Sequence, residues 1–282
     1  MWERIHRLSD GRGDMSGQVL TAAAADGSQA EAIDEGLGSP ILVLHGGMGD
    51  RSAWVQVTDL LRDRFRTVRL ARRQYRLELP RKITMAQEVE HVAAIARRLD
   101  RPLLVGHSSG AVLALEALAA DPELYSGAVL YEPPSVIDKP LGGDSSGRAR
   151  AALAEGKPGE AMTVFLREVV ELKPMMARLA GLAIGLSPGL RSRVERQLDD
   201  LDAINELGVR LAAYARIELP ILLLGGDKSP KHLGERLDAL EGVLPHSRRL
   251  LMHGQGHGAE RSAPARVAKA ITKHIDEELA TS

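Results

Sequence analysis

Four short, unbroken apolar runs constrain this chain more than any other feature: Ile41–Leu44, Leu103–Val105, Ala128–Tyr131 and Ile221–Leu224. Each is bounded by a residue that interrupts regular structure. Pro40 precedes the first, Pro102 and Gly106 flank the second, Pro133-Pro134 follow the third, and Pro220 and Gly225-Gly226 flank the fourth. A strand with one wet face alternates apolar and polar residues, whereas a strand covered on both faces reads as a continuous apolar run. Helical patterns lie between the runs. Thr84-Met85-Ala86-Gln87 reads as a capping box opening a helix to about Leu99, and a second helix spans Ala111 to Ala120. Ser262-Ala263-Pro264 opens a terminal helix with Val267, Ile271 and Ile275 recurring every four residues. Strand and helix alternation predicts an α/β fold with a mostly parallel sheet and helices on both faces.

Weaker signals extend the sheet. Asp26-Gly27 is a hairpin turn between Gln18–Ala22 and Gln29–Ile33, while Thr67–Leu70 and Arg248–Met252 are further strand candidates. The alternation breaks between residues 137 and 217, where the pattern predicts helices at Arg148–Ala154, Ala161–Leu182 and Pro188–Ala215. We read residues 1–16 as an N-terminal extension, 17–136 with 218–282 as the core, and 137–217 as a helical insertion. Such an insertion is expected above the carboxyl ends of a parallel sheet, where these folds bind ligands. Its apolar residues Met162, Met175, Met176, Leu179, Leu182 and Ile184 suggest a small to medium apolar substrate.

Composition narrows the function classes. The chain has 282 residues, with 37 Lys and Arg against 38 Asp and Glu, a net charge of -1. That balance argues against nucleic acid or an anionic membrane as partner. There are no cysteines, which excludes disulfides, thiolate metal sites and a Cys nucleophile. No apolar stretch reaches the ~18 residues of a membrane span. Residues 1–16 lack the apolar region of a secretory signal, so the cytoplasm is the expected location. The tripeptide Arg12-Gly13-Asp14 is read as chance in an Arg- and Gly-rich chain.

Gly106-His107-Ser108-Ser109-Gly110 fits G-x-S-x-G, and so does Gly143-Asp144-Ser145-Ser146-Gly147. Only the first follows an apolar strand and precedes a long apolar helix, the strand–turn–helix setting that lifts a hydroxyl above a sheet edge. Ser108 is therefore the candidate nucleophile. His45-Gly46-Gly47 follows the first strand; the main-chain N–H groups of Gly47 and Ser109 are candidate donors to an oxyanion. His45 and Met48, on the same turn, are candidate substrate contacts. His257, in Gly254-Gln255-Gly256-His257-Gly258, is the candidate base, with His253 as competitor. His107 is expected to pack beside the elbow. His6, His91, His232, His246 and His274 read as surface residues.

These pieces, in this order, resemble the α/β-hydrolase superfamily from roughly Gln18 to Leu279. The resemblance implies an eight-stranded sheet with a helical cap and a serine hydrolase acting on an ester, thioester or lactone through an acyl-enzyme. It implies a small-molecule substrate and no metal or organic cofactor. Alternative uses of the fold are a non-hydrolytic or C–C bond-cleaving reaction at the same site, or a binding protein without turnover. Two departures stand out. Where members often carry an Arg-Gly-x-Gly-like turn, this chain has Ala71-Arg72-Arg73-Gln74-Tyr75-Arg76, either a solvated basic loop or a cation near the pocket. The acid usually follows the penultimate strand, but nine residues from Pro220 stands Ser229, with Asp227 two residues early. A minority of members, including some haloalkane dehalogenases, takes the acid from the preceding strand end, 24 residues after the nucleophile. That position is Glu132. Both Glu132 and Asp227 remain candidates, with the spacing favouring Glu132.

Overall fold

The computed structural model describes residues 17–279; the N-terminal extension, its Arg-Gly-Asp tripeptide and His6 lie outside them. Eight strands form one sheet: β1 (Gln18–Ala23), β2 (Gln29–Glu35), β3 (Pro40–Leu44), β4 (Arg66–Leu70), β5 (Leu103–His107), β6 (Gly127–Tyr131), β7 (Ile221–Gly226) and β8 (Ser247–Met252). Their order is β1-β2-β4-β3-β5-β6-β7-β8. β1, β2 and β4 pair antiparallel, and all other neighbours are parallel. Every strand candidate in the sequence is a strand, and Asp26-Gly27 closes the β1–β2 hairpin.

The helices are α1 (Val55–Thr58), α2 (Met85–Ala96), α3 (Ser109–Ala120), α4 (Ser145–Ala154), α5 (Pro158–Glu168), α6 (Pro174–Leu186), α7 (Pro188–Arg191), α8 (Val194–Leu207), α9 (Leu211–Tyr214), α10 (Lys231–Glu241), α11 (Ala259–Ser262) and α12 (Pro264–Leu279). The central strands are buried on both faces, as continuous apolar runs require. Leu42, Leu44, Leu104, Leu130 and Leu223 point to the layer holding α2 and α3. Their neighbours Ile41, Val43, Val105, Val129, Leu222 and Leu224 point to the layer holding α1 and α12, where Val267, Ile271 and Ile275 pack. Thr84 and Gln87 form the capping box at the start of α2.

Residues 137–217 hold α4 to α9 and no strand. The two long helices expected there are broken into five. Pro174 cannot continue a helix, so α5 and α6 are separate; Gly208, at φ 62°, closes α8 before α9 begins. Among the described residues no helix is long and apolar enough to cross a membrane.

Three of the histidines expected at the surface are buried: His91, His232 and His274. Burial, reinforced by Arg73 beside His91 and Arg248 beside His274, holds each of those two rings at a pKa of about 4. Burial and Arg72 do the same to His45, also about 4. Unfolded histidine titrates near 6.5. The unfolded chain therefore binds protons that the folded chain refuses, and the stability these rings contribute is complete above about pH 6.5 and lost as pH falls toward 4. Each adds ~1.4 kcal/mol per pH unit to the slope in that window. Urea midpoints should fall steeply between pH 6.5 and 4.5, and His91→Asn should flatten the fall; a midpoint flat over this range would contradict the burial of these rings.

Candidate functional site

The carboxyl ends of β3, β5, β6 and β7, with the loop after β8, converge on one place. β5 ends at His107, and Ser108 then takes φ 53°, ψ −126° before α3 begins. A non-glycine residue in that region stores roughly 1–3 kcal/mol of strain and persists only where its surroundings fix it. The fixing contacts are visible. Ser108 N–H donates to the Tyr131 carbonyl at 2.9 Å, and Ala111 N–H donates to the Ser108 carbonyl at 2.8 Å. Gly110 must be glycine, because a Cβ there would lie 2.5 Å from the His45 carbonyl oxygen. The elbow is thus wedged against the end of β3.

Ser108, Ser109 and His257 line a cavity of about 50 Å³. Its apolar wall comes from the core (Pro134, Leu233) and from residues 137–217 (Leu141, Phe165, Val169, Val170, Leu201, Ile204). Behind His257 stands Glu132, 1% exposed, whose Oε2 lies 2.6 Å from His257 Nδ1. Its other oxygen accepts the Gly226 N–H at 2.7 Å. Glu132 itself sits at φ 46°, and its N–H donates to the Leu224 carbonyl at 3.0 Å. Both carboxylate oxygens are therefore occupied and aimed.

Asp227 is elsewhere. It accepts the Gly254 N–H at 2.7 Å and faces His253 Nδ1 at 3.2 Å, shaping the turn after β8. His253, the competitor for the base, is 83% exposed. His107 packs beside the elbow, 5.0 Å from the Tyr131 ring. Its Nε2 lies 2.9 Å from the His257 carbonyl, so Nε2 carries the proton. Burial, then the neighbouring His257, pushes its pKa well below the ordinary histidine value, so it stays neutral. Tyr131 OH donates to the Gly256 carbonyl and accepts the Ala259 N–H at 3.2 Å. Together they hold the loop that presents His257.

His45, Gly47 and Met48 do not line the cavity. His45 is buried with Nδ1 on the Gly46 carbonyl at 2.8 Å, and Met48 packs against the apolar cluster of α4, α5 and α8. Gly47 lies directly under the side chain of Gln197 from α8. The apolar residues from which the substrate was inferred are also absent from the cavity wall. Met162 is buried in the α4–α5–α8 cluster, and Met175, Met176, Leu179 and Leu182 face outward on α6. The reason is that α6 rests on α5 through small residues, Gly181 and Gly185 against Gly159, which leaves its large side chains outside.

The departure after β4 is no solvated loop, since Arg72, Arg73, Gln74 and Tyr75 are all buried. Arg72 Nη2 pairs with Glu88 Oε1 at 2.9 Å and Asp200 Oδ1 at 2.8 Å. Its Nη1 donates to Ser109 Oγ at 2.7 Å and to the His45 carbonyl at 3.2 Å. Burial opposes its charge, but Asp200 and Glu88 outweigh burial and keep it cationic. Sequence reasoning missed Asp200 and Gln197. On α8 they read as the polar face of an amphipathic helix, and nothing local marks that face as buried. Among the described residues, no cluster of three or more His, Asp or Glu side chains could hold a metal ion.

Residues 41–270 match the model of the alpha/beta hydrolase family. Among solved structures, an alpha/beta hydrolase from Sphaerobacter thermophilus is 25% identical with a TM-score of 0.79, covering 91% of this chain and 100% of its own. A thermophilic esterase from Thermogutta terrifontis is 21% identical with a TM-score of 0.71, over 93% of this chain and 99% of its own. The esterase RhEst1 from a Rhodococcus species is 19% identical with a TM-score of 0.70, over 92% and 98%. No curated protein matches the chain. With most of its length matched to the family model, and with the sheet order and helical layers described above, the chain belongs to the alpha/beta hydrolase family.

Proposed function

We propose that the protein is a serine hydrolase that cleaves an ester-like bond through an acyl-enzyme. One observation carries the reading: Glu132 Oε2 lies 2.6 Å from His257 Nδ1 while His257 and Ser108 line one cavity. In this reading Ser108 Oγ attacks the acyl carbon, and the hydroxyl proton passes to His257 Nε2. Glu132 fixes the ring with Nδ1 protonated and stabilises the imidazolium. The main-chain N–H groups of Gly47 and Ser109 face the developing oxyanion. His257 then gives its proton to the leaving group. Water, activated by the same imidazole, releases the acid. The esterases with a similar fold support the reading as an analogy of fold.

Residues 137–217 supply much of the apolar wall around Ser108, so in this reading they select the acyl group. A cavity of about 50 Å³ suits a short apolar chain. With p-nitrophenyl esters of rising length, beside a lactone and a thioester, kcat/KM for acetate and butyrate should exceed that for octanoate by about 10-fold or more, since a few misfitting methylenes are enough to discriminate. A rising trend to octanoate would refute the short-acyl assignment, and no turnover of any ester by a protein whose Ser108 is labelled would refute ester hydrolysis.

A further inference from the structure

Gln197 is placed as a functional group rather than as filler. It projects from α8 into the wall of the Ser108 cavity and is only 6% exposed. Its amide oxygen accepts from Tyr75 OH at 3.1 Å. Among the described residues, its amide nitrogen donates to no group of the protein. That nitrogen is not among the fully buried side-chain atoms that lack a partner, so it retains open space in which a donated bond can form.

The environment shows where that bond would go. A Cβ at Gly47 would collide with the Gln197 amide: all three nearest atoms belong to it, the oxygen at 2.0 Å and the nitrogen at 3.0 Å. A Cβ at Gly46 would lie 3.1 Å from Ser108 Cβ. The amide therefore covers the turn that carries the Gly47 N–H, beside the Ser108 side chain. Its orientation is set from behind. The single Tyr75 proton is shared between Gln197 Oε1 at 3.1 Å and Asp200 Oδ2 at 2.8 Å, and burial with Asp200 raises the phenol pKa well above its ordinary value, so that proton stays on Tyr75. Asp200 is clamped by Arg72, and Arg72 holds Ser109 Oγ and the His45 carbonyl. One buried network thus fixes the amide and the two main-chain segments that carry the other donors.

The geometry points to the Gln197 side-chain amide as a third hydrogen-bond donor to the acyl oxygen, delivered by the segment between β6 and β7. This rests on the serine-hydrolase reading. A donor aimed where negative charge develops acts on the transition state more than on the bound ester. Gln197→Met keeps length and shape but cannot donate. Gln197→Glu keeps an acceptor and, ionised, offers no donor. Both variants are expected to lose about 10- to 100-fold in kcat for p-nitrophenyl acetate with KM little changed. Affinity for an arylboronic acid, which forms a tetrahedral adduct on the serine, should fall by the same factor. Circular dichroism and melting temperature establish that each variant is folded.

Full kcat in either folded variant would overturn the inference, as would a loss confined to KM. Fluorophosphonate labelling of the wild-type protein separates the two layers. An unreactive Ser108 sinks the serine-hydrolase reading itself; a labelled Ser108 together with an active Gln197→Met sinks only the role of Gln197.

Discussion

Ser108→Ala is expected to reduce kcat by about 10⁴-fold or more while leaving the fold intact. The substitution removes only Oγ. Cβ remains, and the hydrogen bonds that force the elbow, Ser108 N–H to the Tyr131 carbonyl and Ala111 N–H to the Ser108 carbonyl, belong to the main chain. Melting temperature should therefore be nearly unchanged, which separates lost chemistry from lost structure. Mass spectrometry after fluorophosphonate treatment should place the adduct on Ser108. The second G-x-S-x-G supplies the control. Ser145 opens α4 and is fully buried, so a phosphonate has no path to it, and Ser145→Ala should leave turnover intact. An adduct on Ser145 would refute the assignment of the nucleophile.

The contrast between the two serines shows what kind of information the sequence carried. Strands were legible because each buried run is continuous and ends at a proline or glycine. The elbow was legible because its motif sits between such a strand and an apolar helix. The region between β6 and β7 was legible as helical but not as separate helices, since apolar periodicity runs on across the break before Pro174. Which of its faces is inward depends on neighbours far along the chain. Met175 and Leu179 read as a lining and are an outer face, because Gly159, Gly181 and Gly185 let the α5 and α6 backbones meet. Buried charge was the least legible. Arg72 and Asp200 are 128 residues apart, and each alone reads as a surface residue. Only their pairing makes burial tolerable, because an unpaired buried charge costs several kcal/mol. The same holds for His91 and His274, polar in isolation yet neutral and enclosed in the fold.

The acid of the site separates two readings of one spacing argument. Glu132→Gln is expected to lower kcat by about 10⁴-fold, the cost seen when an orienting carboxylate becomes an amide. The structural reason is specific. Glu132 Oε1 accepts the Gly226 N–H and Oε2 faces His257 Nδ1. Both partners must donate, and an amide offers only one acceptor. Keeping the Gly226 bond turns the –NH₂ toward the imidazole, which then presents the wrong tautomer to Ser108. Asp227→Asn is expected to cost little activity. Its carboxylate holds the Gly254 N–H and faces the exposed His253, and its side chain is not on His257. The measurement is kcat/KM for a short-chain ester in both variants, with melting temperature alongside. An active Glu132→Gln beside a crippled Asp227→Asn would mean that His257 takes its partner from after β7 during turnover, which requires the loop after β8 to rearrange from the position that His107 and Tyr131 hold. Equal loss in both would mean that the turn shaped by Asp227 is itself needed to present His257. The large difference expected instead follows from where the two carboxylates stand: one closed behind the imidazole with both oxygens occupied, the other at the rim of the same loop.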